Sequence, residues 1–149
     1  MSEILTNRLR LVPVTEMMRH AMQNSRGAFA NLTGLRLPEG WPQFPEAFLP
    51  GERPPVAPWT GYLFVDKLVP ILNGNGGFYG PPVDGRVEVG YEVAPVFRNC
   101  GIATEAAQAL VNHAFSHGAA VVQAHSLAEG NSSNAVLRKI GMHFCEEAI

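Results

Sequence analysis

The sequence predicts a mixed α/β domain, and three stretches carry that prediction. Residues 87–93 alternate cleanly, with Val87, Val89, Tyr91 and Val93 on one face and Glu88, Gly90 and Glu92 on the other. Residues 102–117 repeat apolar side chains at helical spacing through Ile102, Ala106, Ala109, Leu110, His113 and Ala114, and Gly118 stops the pattern. Between them, after the breaker Ala94-Pro95, the turn Arg98-Asn99-Cys100-Gly101-Ile102-Ala103-Thr104 feeds the strand into the helix. A chain of 149 residues is one domain by default and large enough to bury a core. Hydrophobic residues at 46% and charged residues at 16% place it among globular chains rather than disordered ones.

Several function classes fall away on composition. A net charge of −2 gives no electrostatic case for nucleic acid or an anionic membrane. No apolar run approaches the roughly 20 residues of a membrane span, and the N-terminus lacks a basic-then-apolar leader. Cys100 and Cys145 fit no metal spacing, so the expected setting is a reduced cytoplasm.

In chain order, residues 4–12 read as a first strand ending at Pro13. Thr15 is placed to cap a helix through Glu16-Met17-Met18-Arg19-His20-Ala21-Met22, whose methionines suit core filling better than an acyl groove. Residues 27–37 suggest a second short helix. Residues 38–58 hold seven of the twelve prolines with Trp41, Phe44 and Phe48, which predicts a long loop with a helical turn at 46–49. Its aromatics pack either onto the domain's own core or as a wall of an acceptor cleft.

A second strand is expected at residues 59–67 and a third from Val69 to Leu72, with Asn73-Gly74-Asn75-Gly76-Gly77 loosening its end. Asp84-Gly85 is the hairpin signal into the fourth strand. Residues 119–127 form a buried fifth strand whose His125 faces either solvent or the acceptor cleft. His113 and His117 stand four apart, but no third metal ligand accompanies them. Asn131 and Ser133 suit the N-cap of a helix through Ala135-Val136-Leu137. Residues 142–149 leave room for a sixth strand.

The turn after the fourth strand has the chemistry of a pyrophosphate cradle. Orphan N–H groups and the positive end of the helix dipole meet there. Arg98 adds positive charge, Gly101 allows close backbone approach, and Ala103 leaves space above the turn.

At these residues the chain resembles a known family. Arg98-x-x-Gly101-x-Ala103 is similar to the Gln/Arg-x-x-Gly-x-Gly/Ala signature with which GNAT superfamily N-acetyltransferases bind coenzyme A. Val87-Glu88-Val89-Gly90-Tyr91 before it resembles the family's fourth strand. Asn131-Ser132-Ser133-Asn134-Ala135-Val136-Leu137-Arg138-Lys139-Ile140-Gly141-Met142 after it resembles a later family helix. Ile4-Leu5-Thr6-Asn7-Arg8-Leu9-Arg10-Leu11 resembles the first strand of the branch that includes ribosomal-protein N-terminal acetyltransferases.

The resemblance implies a largely antiparallel central sheet of about six strands flanked by helices, with the family's final strand absent from this chain. It implies acetyl-CoA as co-substrate, held by Arg98, Asn99, Cys100, Gly101, Ile102, Ala103 and Thr104, by the main chain at Val93 and by Asn131. A bulge in the fourth strand would splay it from the fifth and open a V for the thioester. Glu88, or failing it Glu92, would take the proton of an attacking amine, and Ser133 would protonate the thiolate. The tyrosine that many relatives use as acid is ruled out here, because no tyrosine follows Tyr91. The acceptor would be a peptide or small-molecule amine, with neither nucleic acid nor membrane as partner. A non-catalytic acyl-CoA-binding or regulatory domain is the other function compatible with these residues. The apolar C-terminal strand, short of a neighbour, leads to the expectation of a homodimer.

Overall fold

Among the described residues six strands lie in the sheet, in the order in which they occur along the chain. The computed structural model describes residues 2–49, 56–124 and 141. The strands are β1 (Ile4–Leu5), β2 (Leu9–Pro13), β3 (Gly61–Asp66), β4 (Leu72–Phe78), β5 (Arg86–Val93) and β6 (Val121–Ala124). Neighbours from β1 to β5 run antiparallel, and β5 with β6 runs parallel. A parallel pair needs a long crossover. Among the described residues the α-helices are α1 (Glu16–Asn24), α2 (Arg26–Thr33) and α3 (Ile102–Ser116), and α3 is that crossover.

Two apolar clusters hold the layers together. In one, Leu9, Leu11, Phe64, Val87, Val89 and Val93 of the sheet meet Ile102, Ala106, Leu110 and Ala114 of α3. Alanines on that helix face let α3 lie close to the strands. In the other, Leu63, Val65 and Leu72 meet Phe29 of α2 together with Trp41 and Phe48, with Met18 and Met22 of α1 packed alongside. Met17 points out, 67% exposed, so two of these three methionines fill gaps and the third does not.

Local chemistry sets the ends of the elements. The Thr15 hydroxyl accepts from Met18 N at 3.2 Å to start α1, and the Ser25 hydroxyl accepts from Ala28 N at 2.9 Å to start α2. Gly34, at φ 71°, ends α2 well before residue 37. Asp84 (φ 52°) and Gly85 (φ 77°) make the two-residue turn that enters β5, with Val83 and Arg86 exchanging both hydrogen bonds.

The structure corrects the expected strands in three places. The first strand is a hairpin: Thr6 N donates to Leu9 O at 2.9 Å and the Thr6 hydroxyl accepts from Leu9 N at 3.0 Å, so the chain turns at residues 6–8. The Asn-Gly run is the interior of β4 rather than a loosened end. Its glycines are spacers between crowded backbones, since a Cβ at Gly74 would stand 2.2 Å from Glu92 O and one at Gly77 2.3 Å from Thr60 O. The bulge sits between β3 and β4, where Phe64 pairs with Gly74 and Val65 with Leu72, while β5 keeps an even register along β4. The expected sixth strand at residues 142–149 lies outside the described residues, and with it the unpaired edge and the homodimer. So do residues 125–127 of the expected fifth strand.

Residues 38–49 of the proline-rich loop pack onto the core. Trp41 and Phe48 are each 2% exposed, and both rings lie against Phe29 with centroids 5.8 and 5.7 Å away. Trp41 Nε1 donates to Asn75 Oδ1 at 2.7 Å, which gives the buried indole its partner and anchors the loop to β4.

Candidate active site

Strand β5 carries the first part of the candidate site. Strand β6 pairs with β5 from Arg86 to Val89, opposite Val121 to Ala124, while β5 continues to Val93 on the β4 side. Tyr79 N donates to Glu88 O and Ala94 N to Asn73 O, so Glu88, Gly90, Glu92 and Ala94 turn their peptide groups toward β4. By alternation Tyr91 and Val93 turn theirs to the β6 side. The Val93 carbonyl accepts from Arg98 Nε at 3.0 Å, which leaves the Val93 N–H as the group at that position that can serve a ligand.

The turn into α3 follows at once. Asn99 (φ 61°) and Gly101 (φ 84°) both take left-handed backbone, and residues 98–101 are exposed. Gly101 is the N-cap of α3 and offers no side-chain acceptor, unlike the caps of α1 and α2. The orphan amides of Ile102, Ala103 and Thr104 therefore lack a side-chain cap, and they stand behind a glycine. This is the geometry of an anion cradle.

The Arg98 guanidinium spans the start of the turn. Besides Val93 O it donates to Gln43 Oε1 at 2.7 Å, so it ties β5 to the proline-rich loop. Cys100, exposed, donates its thiol to Phe97 O at 2.9 Å. Ala103 and Thr104 are half-buried in the first turn of α3.

The two carboxylates of β5 have different surroundings. Glu92 is 8% exposed, and its oxygens accept from Gln43 N at 2.9 Å and Phe44 N at 3.2 Å. Both oxygens are thus engaged in holding the loop. Glu88 is half-buried, level with Gln123 of β6 and opposite Tyr79. Together they line a depression with Pro81, Val83 and Arg86.

Tyr79 is the residue that sequence reasoning passed over on this face. A Cβ at Gly90 would stand 2.3 Å from the Tyr79 hydroxyl oxygen, so the phenol lies across Gly90 beside Glu88. The residue is 74% exposed, and partial desolvation, followed by the charges of Glu88 and Glu46, pushes the phenol pKa up. Gly90, standing two residues after Glu88, is the sequence signal that something crosses there.

Arg8 was missed as well. From the β1–β2 turn its Nη1 donates to Cys100 O at 3.0 Å and its Nε pairs with Glu105 Oε1 at 2.8 Å. Contacts spanning more than 90 residues leave no local sequence signal. Asn131 and Ser133 lie outside the described residues. Among the described residues no group of three His, Cys, Asp or Glu is placed to hold a metal ion. Nor is any helix among them long and apolar enough to cross a membrane.

The model of the acetyltransferase (GNAT) domain family matches residues 57–143, more than half the chain. The chain belongs to the GNAT acetyltransferase family. Solved structures repeat the fold of this GNAT domain. RimL, an alpha-N-protein acetyltransferase of a ribosomal protein in complex with coenzyme A, is 21% identical, with 94% of this chain and 83% of that one covered at a TM-score of 0.63. A putative ribosomal-protein-serine acetyltransferase from Vibrio cholerae is 16% identical over 94% and 82%, at 0.62. A putative GNAT-family acetyltransferase from Bordetella pertussis is 20% identical over 100% and 93%, at 0.61. At such identities the likeness is one of fold. Among curated proteins no sequence matches this chain at a significant level.

Proposed function

We propose that this GNAT domain moves the acetyl group of acetyl-CoA onto a primary amine, of a protein N-terminus or a small molecule, by direct attack. The observation that carries the reading is the α3 N-terminus without a side-chain cap, behind left-handed Gly101, where the chain resembles the family's CoA signature. Arg98, Asn99, Cys100, Gly101, Ile102, Ala103 and Thr104 hold the pyrophosphate, chiefly through backbone N–H groups. The Val93 N–H and Asn131 hold the pantetheine arm.

Acetyl-CoA supplies the acetyl group as an activated thioester. The main chain around Val93 also donates to the carbonyl oxygen and supports charge that builds there. The amine nitrogen bonds to the carbonyl carbon while the carbon–sulfur bond breaks. Glu88 takes the amine proton, directly or through water, and Ser133 returns one to sulfur. Glu92 is assigned to the loop rather than to proton transfer, because both of its oxygens already accept backbone N–H groups. A protein N-terminus enters as acceptor because the RimL neighbour is named as an alpha-N-protein acetyltransferase.

A thiol-release assay with acetyl-CoA across peptide N-termini and small amines, run beside calorimetric CoA binding, tests the reading. Turnover on at least one amine is expected. Tight CoA binding with no turnover on any amine would favour the non-catalytic acyl-CoA-binding role instead.

A further inference from the structure

The first turn of α3 carries Glu105, a carboxylate beside the helix end assigned above to a pyrophosphate. An anion there suits the helix dipole but opposes a second anion at the same end. The β1–β2 turn answers that charge. Arg8 N donates to Glu105 Oε2 at 2.7 Å, Arg8 Nε pairs with Oε1 at 2.8 Å, and the Thr6 hydroxyl donates to Oε2. The other nitrogens of the same guanidinium reach past Glu105 to the cradle. Nη1 donates to Cys100 O at 3.0 Å, and Nη2 lies 3.0 Å from where a Cβ on Gly101 would stand.

We infer that Arg8 is a positioning residue of the CoA cradle, holding the 98–101 turn by its carbonyl and cancelling the Glu105 charge at the helix end that receives the pyrophosphate. This rests on the reading of that turn as the CoA site. The division of labour follows from the planar fork of arginine, which satisfies a carboxylate with one edge and leaves donors on the other. Burial alone would push the Glu105 carboxyl up. The hydrogen bonds from Thr6 and Arg8, with the Arg8 charge, bring it below the usual carboxylate range, so the carboxylate is ionised and needs its partner at neutral pH. A clasp that only held the loop would need Nη1 on Cys100 and no ion pair.

Calorimetric CoA titration of folded variants separates the two roles. Arg8→Ala and Arg8→Gln should each lose about tenfold in CoA affinity at about 0.05 M salt, and the loss should shrink at about 0.5 M, where exposed charges are screened. Arg8→Lys, which keeps the charge without the fork, should fall between the parent and Arg8→Ala, and Arg8→Ala with Glu105→Gln should recover the charge-dependent part of the loss but not the part owed to the bond to Cys100. Should Arg8→Ala not fold, Arg8→Gln carries the same expectation, because its amide can still donate to Glu105 from near the place of Nε while the charge and the reach to Cys100 are lost. A parent that binds CoA beside an Arg8→Gln variant that binds equally well would overturn the proposal. So would a double variant as weak as Arg8→Ala. A parent that does not bind CoA would overturn the reading of the cradle itself.

Discussion

Replacing Glu92 by alanine removes the acceptor of two backbone N–H groups at once. The carboxylate is 8% exposed and bonded to Gln43 N and Phe44 N, on the short stretch between Trp41 and Phe48. Hydrogen bonds to a charged group contribute about 1.5–3 kcal/mol each, and leaving the donors buried and unmet costs more. Gln43 and Phe44 are themselves exposed, so water can reach their N–H groups once the loop lifts. The lower half of the range then applies, about 3 kcal/mol for the pair. For a chain of this size that is a fall of about 6–12 °C in Tm. Glu92→Gln keeps one carbonyl acceptor and should lose about half as much. Thermal unfolding followed by circular dichroism reads the effect, with calorimetric CoA binding on the same samples. CoA affinity should fall only modestly, through Gln43 and its bond to Arg98. An alanine variant with the parent's Tm and no turnover would refute this account and make Glu92 the base.

Three further outcomes follow from the same geometry. Gly101→Val should remain folded with a loss of about 1–2 kcal/mol, because φ 84° strains a branched side chain, and should lose most CoA affinity by calorimetry; unchanged affinity in the folded variant would remove the cradle from this turn. Glu88→Gln should lower kcat while leaving CoA affinity nearly intact and should shift or abolish the acid limb of the pH–rate profile, whereas equal rates at every pH would leave the proton to water. His113, whose pKa is lowered by burial and then by His117, contributes stability that is present above the imidazole's unfolded pKa and lost as pH falls through its depressed folded value. His113→Gln should therefore flatten the decline in Tm between about pH 7 and pH 5, and an unchanged slope would place that decline in other groups.

What the sequence made legible is what neighbours in the chain decide. α3 begins at Ile102 and gives way at Gly118 because spacing and breaker are both local. Thr15 caps α1 and Asp84-Gly85 turns into β5 for the same reason. The β4 glycines misled, because glycine has two opposite meanings. It loosens a strand in isolation, and it is required where flanking backbones leave no room for a Cβ, and only the flanking strands tell which. Glu92 and the Gln43–Phe44 stretch lie 48 and 49 residues apart, Arg8 and Glu105 97 apart. Alternation placed Glu88 and Glu92 on one face and could say nothing of the loop that covers only the second. The hairpin at Thr6 was hidden because β-compatible residues run straight through it.

CoA bound at the end of β5 and the start of α3 must be felt by the amides there. Titrating CoA into the isotope-labelled protein and following backbone amide resonances tests this most directly. The largest shifts are expected at Gly101, Ile102, Ala103 and Thr104 and at Val93, with Glu88 and the α1 amides little moved. Saturable binding that moves other amides and leaves residues 101–104 in place would contradict it, as would the absence of any binding.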